Sequence, residues 1–166
     1  MEPLEKIPSR LWSPLLSLFF DYCAKDKTVM VEFLHSETNG WKIIVPRQKA
    51  SSASVEARFD QTCDLVTGER YSIFPAGDPP DYYRHAGGAY CHNTMLPFFS
   101  ATTDENELSV PGIHLCVGKI NLETGTYELV SSRVRKGVRT IIPNDSVVEM
   151  TNVRTPYHPM VREFVS

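Results

Sequence analysis

The chain has 166 residues, 42% of them apolar and 22% charged, and a formal net charge of −3. That composition suits one globular domain large enough for a real core. It offers neither the basic face of a nucleic-acid binder nor a run of about 18 apolar residues that would span a membrane.

In chain order, residues 9–25 read as a helix, with Ser13 as its cap and Pro14 in the first helical position. Leu15, Leu16, Leu18, Phe19, Phe20, Tyr22 and Cys23 crowd a wide apolar face, which needs a sheet to lie against. Residues 28–36, TVMVEFLHS, read as a strand. Residues 38–40, TNG, form a turn, and 41–46, WKIIVP, return as the hairpin partner. Residues 51–59 read as a polar loop entering a third extended segment, and 74–88, rich in Pro and Gly, as a surface loop.

The segment GAYCH (88–92) reads as a strand. TTDENE (102–107) offers a helix start, capped by Thr102 or Thr103 with acidic residues in its first turn. Residues 112–120 form an apolar, central strand, 125–137 an alternating one, and 143–166 a tail. The basic run Arg133, Arg135, Lys136, Arg139 reads as a solvated strand edge and turn. This order predicts a single domain over 1–166 of the α/β or α+β class, a mixed sheet flanked by helices.

The N-terminal MEPLEKIPSR carries acidic residues and no apolar stretch beside it, so it does not read as a signal peptide. Cys23, Cys63, Cys91 and Cys116 are widely spaced, with no CxxC pair. They read as reduced, buried thiols of a cytoplasmic protein rather than as a zinc site.

The segment AYCHNTMLPFFSATTDENE, 89–107, carries the chemistry. A catalytic zinc takes three protein ligands and a water. A strand supplies two of them through H-x-H, since residues i and i+2 share a face, and a nearby Glu then serves as general base. Here the i, i+2 pair is Tyr90 and His92; Cys91 points the other way, and the carboxylates that follow are Asp104, Glu105 and Glu107. A Cys91 nucleophile beside His92 is disfavoured for the same reason, because neighbours on a strand face opposite sides.

The block from His92-Asn93 through Pro97-Phe98-Phe99-Ser100 to Asp104 and Glu107, followed by PGIHLCVGKI (111–120), resembles the JAB/JAMM (MPN, Mov34/PAD-1) domain family. It is most similar to the bacterial and phage branch, whose P-x-Q-x-x-S-x-x-S-V segment is matched by VPRQKASSASVEA (45–57). The resemblance covers about residues 10–142. It implies a cytidine-deaminase-like fold and a zinc isopeptidase motif, a Glu on the first strand followed by H-x-H-x(10)-D.

Carried over residue by residue, the first histidine falls on Tyr90, the second on His92, the serine between them on Cys91 and the aspartate on Thr103. Asp104 comes one residue late. The base Glu falls on Thr28, four residues before Glu32. Ser100 is the serine that would bond a zinc-bound oxygen in a working member. A tyrosine is a poor zinc ligand, since a phenol pKa of about 10 must be overcome, and a threonine offers no carboxylate.

The expectation is therefore a catalytically inactive JAMM/MPN-like domain, without a cofactor, serving as a protein-binding or scaffold module. Its partners would be proteins, including components of a ubiquitin-like system, in a homodimer or heteromer. The alternative is a zinc isopeptidase acting on ubiquitin-like or other protein conjugates. In it His92 and Asp104 hold the metal, His85 or Cys91 is the third ligand, and Glu32 is the base. His114 reads as a satisfied core histidine, His35 and His158 as solvated, and Phe98-Phe99 as anchoring their loop in the core.

Overall fold

The computed structural model describes residues 5–52, 54–72 and 82–166. Its first helix, α1 (Ser9–Cys23), begins at the residue the sequence reading gave but without the expected cap. Pro8 precedes it in extended conformation, and the amides of Leu11 and Trp12 both donate to the Pro8 carbonyl, at 3.0 Å each. Ser13 is therefore inside the helix and not its cap, and Pro14 sits beyond the first turn. Burial of Leu11 and Trp12 favours helix through the first turn and outweighs the one bond that Pro14 cannot make.

Among the described residues eight strands follow: β1 (Met30–Ser36), β2 (Gly40–Ala50), β3 (Val55–Asp64), β4 (Arg70–Tyr71), β5 (Arg84–Cys91), β6 (Gly112–Asn121), β7 (Thr126–Arg135) and β8 (Val138–Ile142). A helix α2 (Ala101–Glu107) lies between β5 and β6, and a short α3 (Val161–Phe164) near the end. The strands form one mixed sheet in the order β4-β3-β2-β1-β5-β6-β7-β8. The domain is α+β; β5 and β6 pair in parallel, and their neighbours pair antiparallel. A parallel pair needs a crossover, and residues 92–111 with α2 supply it.

Part of the Pro/Gly segment, expected as loop, is strand: Arg84 to Gly88 belong to β5, while residues 73–81 lie outside the described chain. Glycine is what permits this. Gly87 has φ +126, and a Cβ there would sit 1.7 Å from the Ile113 carbonyl oxygen of the parallel neighbour.

Side chains alternate across each strand. Val31, Phe33, Ala89, Cys91, Leu115 and Val117 share one apolar core with Leu15, Leu16 and Phe19 of α1. The segment read as a tail joins it through Val147, Val148, Tyr157, Val161, Phe164 and Val165. All four cysteines are free and buried. Among the described residues, no helix is long and apolar enough to cross a membrane.

The opposite face is shaped by a departure. β2 pairs with β1 only from Gly40 to Ile44, and its register with β3 shifts between Pro46 and Arg47. Proline has no N–H for the ladder, so a bulge there is natural. Beyond it the Gln48 side chain replaces the missing strand: its Oε1 accepts from the Met30 amide at 3.0 Å and its Nε2 donates to the Met30 carbonyl at 2.9 Å. The Thr28 amide donates to the Ser51 carbonyl at 2.7 Å. The β2–β3 hairpin is thereby tied to the start of β1.

Candidate functional site

Between that hairpin and α2, on the face away from α1, lies a groove of about 920 Å³. Its floor is the central sheet. Glu32, Gly88 and His114 form one row across β1, β5 and β6, and Met30, Tyr90 and Cys116 form the next. Val55, Ala57 and Phe59 of β3 form one wall, at alternate positions along the strand. Thr103, Asn106, Glu107 and Val110 form the other, at helical spacing along α2 and its extension.

Thr28, Tyr90, His92, Ser100 and Thr103, the positions the resemblance assigns to the metal motif and its serine, all line this groove, as does Glu32. Their groups are engaged with one another. Ser100 caps α2, accepting from the Thr103 amide at 3.1 Å, where Thr102 or Thr103 had been expected to cap. The Thr103 hydroxyl donates to the Tyr90 oxygen at 3.2 Å, and Tyr90 donates to the Phe98 carbonyl at 2.8 Å. Burial pushes the Tyr90 phenol well above its usual range, so it stays a neutral donor. His92 places Nδ1 3.0 Å from the Leu96 carbonyl and its ring 4.9 Å from that of Phe98. Thr28 bonds through its hydroxyl to the Ser51 carbonyl at 3.0 Å.

Asp104, a metal ligand in the zinc reading, turns away from His92. It accepts from Arg139 Nε at 2.8 Å. One residue beyond Thr103 on a helix is about 100° round the axis, which takes the carboxylate off the groove face. Arg139 also donates to Glu107 Oε1 at 2.6 Å and to the Ser132 hydroxyl at 2.7 Å, and its guanidinium lies 3.8 Å from the centre of the Phe99 ring. With a side chain only 10% exposed, it is a clamp on α2 and not part of a solvated edge. Phe99 is held under it, whereas Phe98 is half exposed and does not anchor the loop.

His114 is buried; its Nε2 contacts the Val110 carbonyl at 2.8 Å and its Nδ1 lies 3.4 Å from Glu107. His35, expected in solvent, bonds Glu5 at 2.5 Å and packs edge-on against Trp41. His158 is half-buried and accepts from the Met160 amide at 3.0 Å. Cys91 faces the core, where burial raises its thiol far above the usual value, so it is neither a ligand on the groove face nor a nucleophile.

Glu32 and His85, which the sequence reading put in one site only in the zinc alternative, are in direct contact: His85 Nε2 is hydrogen-bonded to Glu32 Oε2. Fifty-three residues separate them, so only the β1–β5 register brings them together. The sequence signal was Gly88, which keeps the strand bare beside the carboxylate.

The donor set does not suit zinc. Phenol, hydroxyl and a carbonyl-bound imidazole stand where the motif needs two imidazoles and a carboxylate. Among the described residues, no three His, Cys, Asp or Glu side chains gather into a metal-holding group. Comparison of the sequence with protein-family models and with curated proteins finds no match.

Proposed function

We propose that the protein is a JAMM/MPN-like domain without metal chemistry, whose groove binds an extended segment of a partner protein. The observation that carries this is the closure of Thr103 onto Tyr90. Both groups that would have to be ligands spend their hydrogen bonds on each other and on the Phe98 carbonyl, while the groove above them stays open.

Its shape favours a polypeptide. Val55, Ala57 and Phe59 present alternate apolar contacts. β4 pairs with β3 only at Thr62 and Cys63, so among the described residues 55–61 has no strand on its outer side. An extended chain can add there through main-chain bonds while its alternate side chains enter the groove. The partner class carried by the family resemblance, a ubiquitin-like protein or a subunit of such a system, fits that mode.

The zinc isopeptidase has one observation in its favour, the meeting of Glu32 and His85, its candidate base and third ligand. Against it stands the capture of Asp104 by Arg139.

Two measurements test the proposal together. Elemental analysis of untagged protein is expected to find far less than one zinc per chain. Hydrogen exchange is expected to slow across 55–59 on adding a fluorescein-labelled heptapeptide of alternating Thr and Val. Stoichiometric zinc with chelator-sensitive cleavage of ubiquitin-like conjugates would overturn it, and so would unchanged exchange at saturating peptide.

A further inference from the structure

The groove has an uneven charge. Among the described residues its lining contains two carboxylates, Glu32 and Glu107, three histidines, and no lysine or arginine. Glu107 is already neutralised, held by Arg139 at 2.6 Å with His114 3.4 Å away. Glu32 is not. Its side chain is 11% exposed, and its hydrogen bond is to an imidazole at Oε2. A carboxylate has about four acceptor sites on two oxygens, so Oε1 has acceptor capacity to spare. Taking a carboxylate out of water costs several kcal/mol unless a cation or several donors replace the water.

The surroundings of Glu32 look like a seat. Gly88 lies directly across from it on β5. A Cβ at Gly88 would come 3.3 Å from Glu32 Oε2 and 2.7 Å from the Val31 carbonyl oxygen, so the absent side chain leaves a well over the carboxylate. Apolar Val55, Ala57 and Phe59 wall the approach, and Phe59 is 45% exposed. A long aliphatic stem ending in a charge fits such a path: methylenes along the wall, the head at the carboxylate. An aromatic ring beside that path adds cation–π attraction. The Tyr90 phenol, kept neutral by burial, supplies no competing anion.

We infer that Glu32 is the counter-ion for a basic side chain, arginine or lysine, of the extended segment that enters the groove, and that it selects that segment by charge. This rests on the reading of the groove as a polypeptide-binding site and adds the chemistry of the occupant. Glu32 is then a specificity residue and not a base. His85 holds one carboxylate oxygen in place and leaves the other to the incoming cation.

The test uses the full chain and labelled heptapeptides identical except at the centre, which is arginine, citrulline or glutamate. Citrulline keeps the shape of arginine and removes the charge. Binding is read by fluorescence anisotropy. The arginine peptide is expected to bind at least about tenfold more tightly than citrulline, a difference of about 1.4 kcal/mol, and glutamate more weakly than either. In Glu32→Gln, which keeps an acceptor for His85, the arginine and citrulline affinities are expected to converge to within about twofold. Phe59→Ala is expected to weaken all the peptides, and the arginine peptide most. Equal binding of arginine and citrulline by the wild type, a comparison that needs no variant to fold, overturns the inference and leaves the groove reading standing. So does an arginine preference that survives in Glu32→Gln. Failure of every peptide to bind, with no slowing of exchange across 55–59, overturns both.

Discussion

Replacing Arg139 by alanine removes the clamp that fixes α2 against the sheet. The bond to Glu107, at 2.6 Å and with a carboxylate side chain 16% exposed, is a sheltered charge-assisted one, worth about 2 kcal/mol. The bond to Asp104 is at 2.8 Å, but that carboxylate is 39% exposed, so screening reduces it to about 0.5 kcal/mol. Stacking on Phe99 adds about 1 kcal/mol. Loss of all three is expected to cost about 3–4 kcal/mol, since Glu107 is also left without its strong partner. Arg139→Lys keeps the charge but cannot span both carboxylates and the ring, and is expected to cost about half as much. Urea denaturation followed by circular dichroism measures the loss, and hydrogen exchange of α2 locates it. A loss below about 1 kcal/mol in the alanine variant, with α2 protection unchanged, would refute the clamp and with it the account of why Asp104 is absent from the groove.

Gly87→Ala is expected to lower stability severely, by more than about 3 kcal/mol, because its Cβ meets the Ile113 carbonyl at 1.7 Å. Gly125→Ala, also at positive φ but with nothing within 4 Å, should cost only about 1–2 kcal/mol; thermal melts that rank the two the other way would contradict the parallel β5–β6 pairing. Burial raises the Cys63 thiol from 9.0 to about 12. The folded state therefore holds a proton that the unfolded chain gives up, so stability is full below pH 9 and falls as pH rises from 9 towards 12. A urea midpoint unchanged between pH 8 and 10.5 would refute this. The pair Tyr90→His with Thr103→Asp would place an imidazole and a carboxylate beside His92, whose Nε2 is not engaged by Leu96, and is expected to gain about one bound zinc per chain. No gain in the folded double variant would mean that these positions do not converge as the groove places them.

Much of the framework was legible from local pattern. The apolar crowding of 15–23, the Thr38–Gly40 turn between two β-branched runs and the dense strand at 112–120 each depend on neighbours within a few residues. The side-chain chemistry of Tyr90 and Thr103, a phenol and a hydroxyl, was visible in the same way without any coordinates. Errors fell where distant contacts overrode local signals. Ser13 looked like a helix cap and Pro14 like a first helical position, but Leu11 and Trp12, buried in the core, precede both within the helix. His35 looked solvated until Glu5 and Trp41 enclosed it.

What the sequence determined alone, then, was the class of domain and its apolar faces, because each follows from side-chain type at short spacing. Tertiary structure decided which charges meet. Arg139 reaches Asp104 across 35 residues and His85 reaches Glu32 across 53; the crossover that carries α2 places the first pair and strand register the second, and register is set by the burial pattern of a whole sheet and not by any one segment. The groove itself is of that kind. Its walls, β3 and α2, are far apart in the chain, and they face each other only because Pro46 bends one hairpin over the sheet while a crossover carries the helix to the other side.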